Sequence, residues 1–376
     1  MVDLTGQYQK IKEAVDEGIQ QVIDTTQFIN GSATKEFASG LATYLKVKHV
    51  IPCANGTDAL QIALMALGLK EGDEVISIPF TFVATVEVVA LLKLKPVFVD
   101  VDENTFNIDV NKIEEKITPR TKAIIPVHLF GQGADMEKIM KIAAKYNLIV
   151  IEDNAQAIGS ELEMEGIGSV KTGTIGHIAT TSFYPTKNLG AYGDGGALFT
   201  NDDVIAQKIK IICDHGSAKK YYYDAIGVNS RLDSMQAAIL NVKLKNLDVY
   251  NKQRQNTAEK YDAGLKDIPG ISIPSRFEKS THVFHQYTIK IAQNREGLKE
   301  HLQEKGIPSM IYYPVPLHLS EAYRVYGYKQ GDFPVSEKIA KEVLSLPMHT
   351  ELDVEQIEYI CETIKEFVFR QNTVIV

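Results

Sequence analysis

Residues 180–200 read Thr-Thr-Ser-Phe-Tyr-Pro-Thr-Lys-Asn-Leu-Gly-Ala-Tyr-Gly-Asp-Gly-Gly-Ala-Leu-Phe-Thr. One lysine, Lys187, stands in the middle. Ser182 precedes it by five residues, and Gly190, Gly193, Gly195 and Gly196 follow it. The flanks are small and apolar, so the spacing predicts a lysine between two buried strands. Burial disfavours the ammonium form, and a lysine held there becomes a neutral amine. A neutral amine attacks aldehydes, which is the chemistry of a Schiff-base lysine. The competing reading is a loop lysine whose stem lies on apolar surface with its charge in water.

Upstream, Leu148-Ile149-Val150-Ile151 runs into Glu152-Asp153-Asn154-Ala155-Gln156. This pattern predicts a buried strand with Asp153 at its carboxyl end, where open α/β sheets place their ligands. A carboxylate there serves as a helix cap, a metal ligand, or the partner of a pyridine nitrogen. No His or Cys cluster accompanies it, so no metal is expected. Beside Lys187, the pyridine reading points to pyridoxal 5'-phosphate (PLP), whose protonated ring draws electrons from a substrate carbanion. Gln156 is then placed to donate to the cofactor's phenolic oxygen.

Further upstream, Asn55-Gly56-Thr57 opens a helical pattern through Ala59, Ile62, Ala63 and Ala66. Free N–H groups at a helix start, beside a glycine and a hydroxyl, suit an anion. A plain N-cap turn is the alternative. Phe82 follows the predicted strand 74–78 and is either core or a ring that stacks on a flat cofactor. The glycines after Lys187 lack G-x-G-x-x-G spacing and lead into a strand, so they form no dinucleotide site.

Strands and helices alternate from residue 50 to 200, which predicts a doubly wound sheet. Two N-terminal helices are expected over 6–26 and 34–45. One long helix is expected from 234 to about 265. Strands are expected at 96–102 and 122–128. Beyond about 266 the pattern suits a smaller α+β domain, giving a division at 1–250 and 251–376. In that domain Tyr313-Pro314-Val315-Pro316-Leu317-His318 reads as a packed turn or a substrate wall. Hydrophobic and charged fractions of 44% and 23% suit a globular chain. A net charge of −8 argues against nucleic-acid binding. No apolar run reaches the roughly 18 residues of a membrane span. No signal peptide is read at the start. Cys53, Cys213 and Cys361 form no CxxC pair, which fits a reducing cytoplasm.

Together, Asn55 to Leu60, Glu152 to Gln156, Ser182 to Gly196 and Asn229 to Asp233 make the chain resemble the DegT/DnrJ/EryC1/StrS nucleotide-sugar aminotransferases, fold-type I PLP enzymes. The likeness covers essentially the whole chain. It implies a large domain with a mainly parallel mixed sheet flanked by helices and a smaller C-terminal α+β domain. It implies that Lys187 carries the cofactor and moves protons, and that Asp153 pairs with the pyridine nitrogen. By the same resemblance Gln156 contacts the ring hydroxyl, Phe82 stacks on the ring, and Gly56, Thr57 and Ser182 hold the phosphate. Asn229 reaches the phosphate held by a partner subunit, making the site a homodimer property. Arg231 and the segment from Tyr313 to His318 face a nucleotide-sugar substrate. The implied reaction moves an amino group from an amino acid, glutamate foremost, to a keto-sugar at C3. The resemblance is closest to enzymes acting on UDP-linked 3-keto-2-acetamido-glucuronate, with dTDP-linked 3-keto-6-deoxyhexoses next. Cell-surface polysaccharide biosynthesis is the setting it implies. Asn154 departs from the family, where alanine is common, and the motif is less regular near Phe28 to Gly31. A PLP-dependent sugar dehydratase is the rival enzyme, but there histidine replaces the lysine. A catalytically silent aminotransferase-like binding protein is the other rival; it would have lost Lys187 or Asp153.

Overall fold

The computed structural model describes residues 1–374. Two helices lead, α1 (Leu4–Thr25) and α2 (Ser32–Leu45). Asp3 caps α1 by accepting the Gly6 N–H at 2.8 Å. Only the Val15 and Val22 stripe of α1 is buried, so the helix lies on the surface with one apolar edge inward.

A seven-stranded sheet follows: β1 (His49–Cys53), β2 (Glu74–Ser77), β3 (Lys95–Phe98), β4 (Thr121–Ile124), β5 (Ile149–Asp153), β8 (Ile178–Ser182) and β9 (Gly196–Thr200). Their spatial order is β1-β9-β8-β5-β4-β2-β3. β9 pairs antiparallel with both β1 and β8, and the other pairings are parallel. The mainly parallel mixed sheet expected from sequence is therefore present. Consecutive residues along a strand feed opposite faces. Val75, Ala123 and Ile151 pack on one side against α3 (Gly56–Ala66), α4 (Ala84–Leu91) and α6 (Asp203–Cys213). Ile76, Ile124 and Val150 pack on the other, with Ile139 of α5 (Met136–Tyr146). The six co-directional strands deliver their carboxyl ends to one edge, and that edge carries the site.

Several elements differ from the sequence reading. The strands expected at 96–102 and 122–128 end early, at Phe98 and Ile124. Asp100 turns instead to accept the N–H groups of Val335 and Ser336 and the Ser336 hydroxyl. It thereby caps α10 (Pro334–Glu342). Two hairpins, β6 (Glu161–Met164) with β7 (Gly168–Lys171) and β10 (Ser217–Lys219) with β11 (Tyr222–Tyr223), were not anticipated. The long helix expected over 234–265 is two, α7 (Ser234–Leu244) and α8 (Leu247–Leu265). Asn246 breaks it: its side-chain amide donates to the Val242 carbonyl at 3.1 Å, competing with the helical ladder.

The second core begins on α8 with Ala258, Tyr261 and Leu265. It adds the antiparallel β12 (Ile271–Ser272), β13 (Tyr287–Ile291) and β14 (Val343–Leu346) with α9 (Arg295–Glu304) and α11 (Val354–Val374). Residue 250, the expected division, lies inside α8, and residues 375–376 lie outside the described chain. No described helix is long and apolar enough to cross a membrane.

Candidate active site

The site starts at α3. Asn55 is extended and its side chain accepts the Asp58 N–H at 2.8 Å. The N–H groups of Gly56 and Thr57, ahead of it, have no partner among the described residues. Ser182 ends β8 directly beside them. A Cβ on Gly56 would lie 2.7 Å from the Ser182 Cβ, so only glycine permits this approach. Gly196, which opens β9, is equally constrained, because a Cβ there would lie 2.4 Å from the Asn55 carbonyl. Two open N–H groups, a helix N-terminus and a serine thus form a cradle for an anion such as phosphate.

Asp153 is buried at the end of β5. Its carboxylate accepts the Thr85 hydroxyl at 2.8 Å and the Ala155 N–H at 3.2 Å. Burial raises its pKa, while those hydrogen bonds and the nearby Lys187 charge pull it back down. Lys187 lies in the β8–β9 connection and makes no hydrogen bond or ion pair through Nζ among the described residues. Burial pushes its pKa down to about 8, and the Asp153 charge partly offsets that. Lys187 and Asp153, both singled out in the sequence, lie close enough for each charge to act on the other.

Gln156 is buried between two partners. Its Oε1 accepts the Phe130 N–H at 2.9 Å, and its Nε2 donates to the Tyr313 hydroxyl at 3.2 Å. One N–H of that amide stays available for a ligand. Phe82 is 54% exposed, its ring 6.5 Å from that of Tyr313. An exposed aromatic face beside a buried carboxylate fits a flat cofactor ring. The open cradle, the exposed ring, the buried carboxylate and the unpartnered amine together match phosphate, ring, nitrogen and aldehyde of PLP.

The other expected residues divide. Asn229 is exposed and pairs in a short bridge with Asp214. Arg231 is half-buried and binds Asp214 at 2.5 Å. His318 is a correction: it does not line an opening. It is fully buried, its Nε2 3.1 Å from Glu337 Oε1 and its ring edge-on to Phe333 at 4.7 Å. Leu317 docks into the Phe98, Tyr323 and Phe333 cluster, and the turn carries His318 inward with it. Asn154 faces away from the site, exchanging hydrogen bonds with Thr172 at 2.8 and 3.2 Å.

Supporting residues were missed. Thr85 holds Asp153 from the first turn of α4. Ser230 donates to the Asp58 carboxylate at 2.6 Å and accepts the Ala54 N–H at 3.0 Å, bracing the cradle. On the opposite side of β5, Glu152 accepts the N–H groups of Gly173, Ile175 and Gly176 and meets Nε2 of His128 at 2.8 Å. The Ala134 N–H points at His128 Nδ1, so the imidazole proton sits on Nε2 and donates to Glu152. Only the position of Thr85, three residues beyond Phe82, carried any signal of this in the sequence.

With this geometry in place, comparison with known proteins is direct. The DegT/DnrJ/EryC1/StrS aminotransferase profile matches residues 9–365. A "Pleiotropic regulatory protein" of Geobacillus stearothermophilus is 49% identical over 98% of both chains. The UDP-2-acetamido-2-deoxy-3-oxo-D-glucuronate aminotransferase of Pseudomonas aeruginosa is 46% identical over 96% of this chain and 98% of its own. The crystal structure of S. venezuelae DesV, in complex with a ketimine intermediate, superposes with a TM-score of 0.94 at 36% identity, covering 98% of this chain and 97% of that one. The chain belongs to the DegT/DnrJ/EryC1/StrS aminotransferase family, whose members depend on PLP.

Proposed function

We propose that this chain is a PLP-dependent aminotransferase that moves an amino group from an amino acid, L-glutamate, to the C3 ketone of a nucleoside-diphosphate sugar. The observation that carries the reading is the juxtaposition of Lys187, whose Nζ has no hydrogen-bond or ion-pair partner among the described residues and which burial pushes down to about 8, with the buried carboxylate of Asp153. When bound, PLP supplies an aldehyde for the amine and a ring that accepts electrons. Everything else falls to the chain. Gly56, Thr57 and Ser182 anchor the phosphate, Phe82 covers the ring, and Gln156 orients the ring oxygen. Asp153 holds the proton on the pyridine nitrogen, since an opposite charge stabilises the charged form. Lys187, once free as an amine, would take the α-proton of the donor and deliver it to the carbon that was the cofactor's aldehyde, across the nitrogen from the donor carbon. Tyr313, tied to Gln156, forms one wall for the sugar.

The UDP-linked 3-oxo-glucuronate named for the Pseudomonas relative is the first substrate to try, and dTDP-linked 3-keto sugars come second. Exposed Asn229, beside the exposed hairpin of Tyr222 and Tyr223, supports a homodimer in which each subunit completes its partner's phosphate site. Arg231 lies on the same stretch and reaches the nucleotide sugar on release from Asp214. A cytoplasmic place in cell-surface polysaccharide synthesis, lipopolysaccharide included, completes the proposal. The retained Lys187 and Asp153 favour it over a silent binding protein, despite the name of the Geobacillus relative.

The test is a two-stage absorption experiment. Glutamate alone should remove the visible band of the lysine-bound cofactor and release 2-oxoglutarate. The keto-sugar nucleotide should restore the band and yield an amino sugar. An enzyme that answers glutamate but no 3-keto sugar nucleotide refutes the acceptor assignment, and one with no visible band refutes the cofactor assignment.

A further inference from the structure

A second lysine shares the unusual condition of Lys187. Lys243, on α7, is 1% exposed and has no carboxylate partner among the described residues. Its Nζ donates to the Gly190 carbonyl at 2.8 Å and lies 4.5 Å from the centroid of the Tyr192 ring. Burying an ammonium without a counter-ion is costly, and a leucine or methionine would fill the same space without that cost. Its hydrogen bond and its ring contact both fall on the β8–β9 connection, a few residues beyond Lys187.

That connection is wound tightly. The Lys187 N–H binds the Tyr184 carbonyl at 2.8 Å, and the Ala191 N–H binds that of Phe183 at 2.8 Å. A Cβ on Gly190 would strike the Pro185 carbonyl at 2.4 Å. Gln236 lies seven residues before Lys243, two turns along the same face of α7. Its Oε1 accepts the Tyr192 N–H at 2.9 Å. Gln236 and Lys243 therefore clasp the far limb of the lysine turn at Tyr192 and Gly190, while Tyr8 of α1 backs the Tyr192 ring edge-on at 5.9 Å.

We propose that Lys243 is a positioning residue for Lys187, holding the β8–β9 turn against α7 through the Gly190 carbonyl and the Tyr192 ring. The proposal rests on Lys187 being the cofactor-bearing lysine. Gly190 and Tyr192, the groups Lys243 touches, lie three and five residues beyond Lys187 on the same turn, so loosening that limb exposes the Lys187 amine, which burial now pushes down to about 8. A rehydrated Lys187 returns towards the ordinary lysine range and is less often neutral at pH 7.

The experiment equilibrates wild-type, Lys243→Met and Tyr192→Leu enzymes with limiting PLP at pH 7 and at pH 10. Borohydride then fixes the attached cofactor, and peptide mass spectrometry gives the fraction of Lys187 modified. Each unit by which the Lys187 pKa rises cuts its neutral fraction at pH 7 about tenfold. Lys243→Met should accordingly weaken attachment about tenfold at pH 7 and match wild type at pH 10. Tyr192→Leu keeps the Gly190 hydrogen bond and should show a smaller loss with the same pH pattern. A structural role alone lowers the melting temperature and leaves attachment unchanged, or lowers it equally at both pH values; either outcome overturns the proposal. Should Lys243→Met fail to fold, Tyr192→Leu decides the matter, and wild-type attachment at both pH values counts against it. A wild-type enzyme with no adduct on Lys187 fails differently, since it removes the lysine assignment itself.

Discussion

Adding one methyl group at Gly56 tests the phosphate cradle with little change in chemistry. The new Cβ would lie 2.7 Å from the Ser182 Cβ and 3.3 Å from its Cα and Oγ. Carbon atoms in ordinary contact sit about 3.5–4.0 Å apart, so the start of α3 must retreat from β8 by about 1 Å. Overpacking of this kind costs about 1–3 kcal/mol of stability. A retreat of that size also pulls the Gly56 and Thr57 N–H groups off a phosphate that Ser182 still holds. A hydrogen bond to a charged group contributes about 1.5–3 kcal/mol, so losing one raises the PLP dissociation constant about 10- to 140-fold. Equilibrium titration of apo Gly56→Ala with PLP, alongside thermal unfolding, reads both effects. The double variant Gly56→Ala/Ser182→Gly removes the clashing carbon and should recover most of the lost stability. If Gly56→Ala melts earlier yet binds PLP with wild-type affinity, the cradle does not hold the phosphate and the reasoning fails.

Asp153→Asn should bind the cofactor but convert with glutamate far more slowly, because an amide supplies no charge to the pyridine nitrogen; rapid-scan absorption at the wild-type rate would remove that role. A mere cap would instead cost about 1 kcal/mol of stability with activity per folded molecule intact. Lys187→Ala and Asn229→Ala subunits, each inactive alone, should regain about a quarter of wild-type activity after random exchange, since half the dimers are hybrids with one intact site. No recovery after verified exchange contradicts shared sites. The folded Lys187 titrates near 8 and the unfolded one near 10.5, so between those values the unfolded chain binds more protons and stability rises with pH. The stability of apo wild type relative to Lys187→Met should therefore climb from pH 8 to pH 10, and a flat difference in chemical denaturation would refute the burial of the amine.

The parts of the site legible in sequence were those whose chemistry is local. Lys187 amid apolar strands, Asp153 ending one, and Gly56-Thr57 opening a helix each announce themselves within a few residues. The sheet followed from alternation of strand and helix. What sequence could not carry was pairing across the chain. Nothing near His318 says that Glu337 and Phe333 will enclose it, and both the packed turn and the substrate wall fit its neighbours equally. The break at Asn246 depended on one side chain choosing the Val242 carbonyl over water. Lys243 reads as one more basic residue on a helix until Gly190 and Tyr192 are seen beneath it. Asp100 reads as the end of a strand until α10 arrives from more than two hundred residues away.

Gly196 contributes no functional atom, yet it faces Cys53 across one ladder and Ser182 across the other, with the Asn55 carbonyl against its bare Cα. The strand leading to the anion cradle, the strand ending in Ser182 and the return limb from Lys187 all cross there. The span between the place for a phosphate and the place for an amine is thus a fixed length, gauged by backbone pairing rather than by any side chain that touches ligand. The molecule carries a ruler, and its zero mark is a residue that a search for reactive groups would pass over.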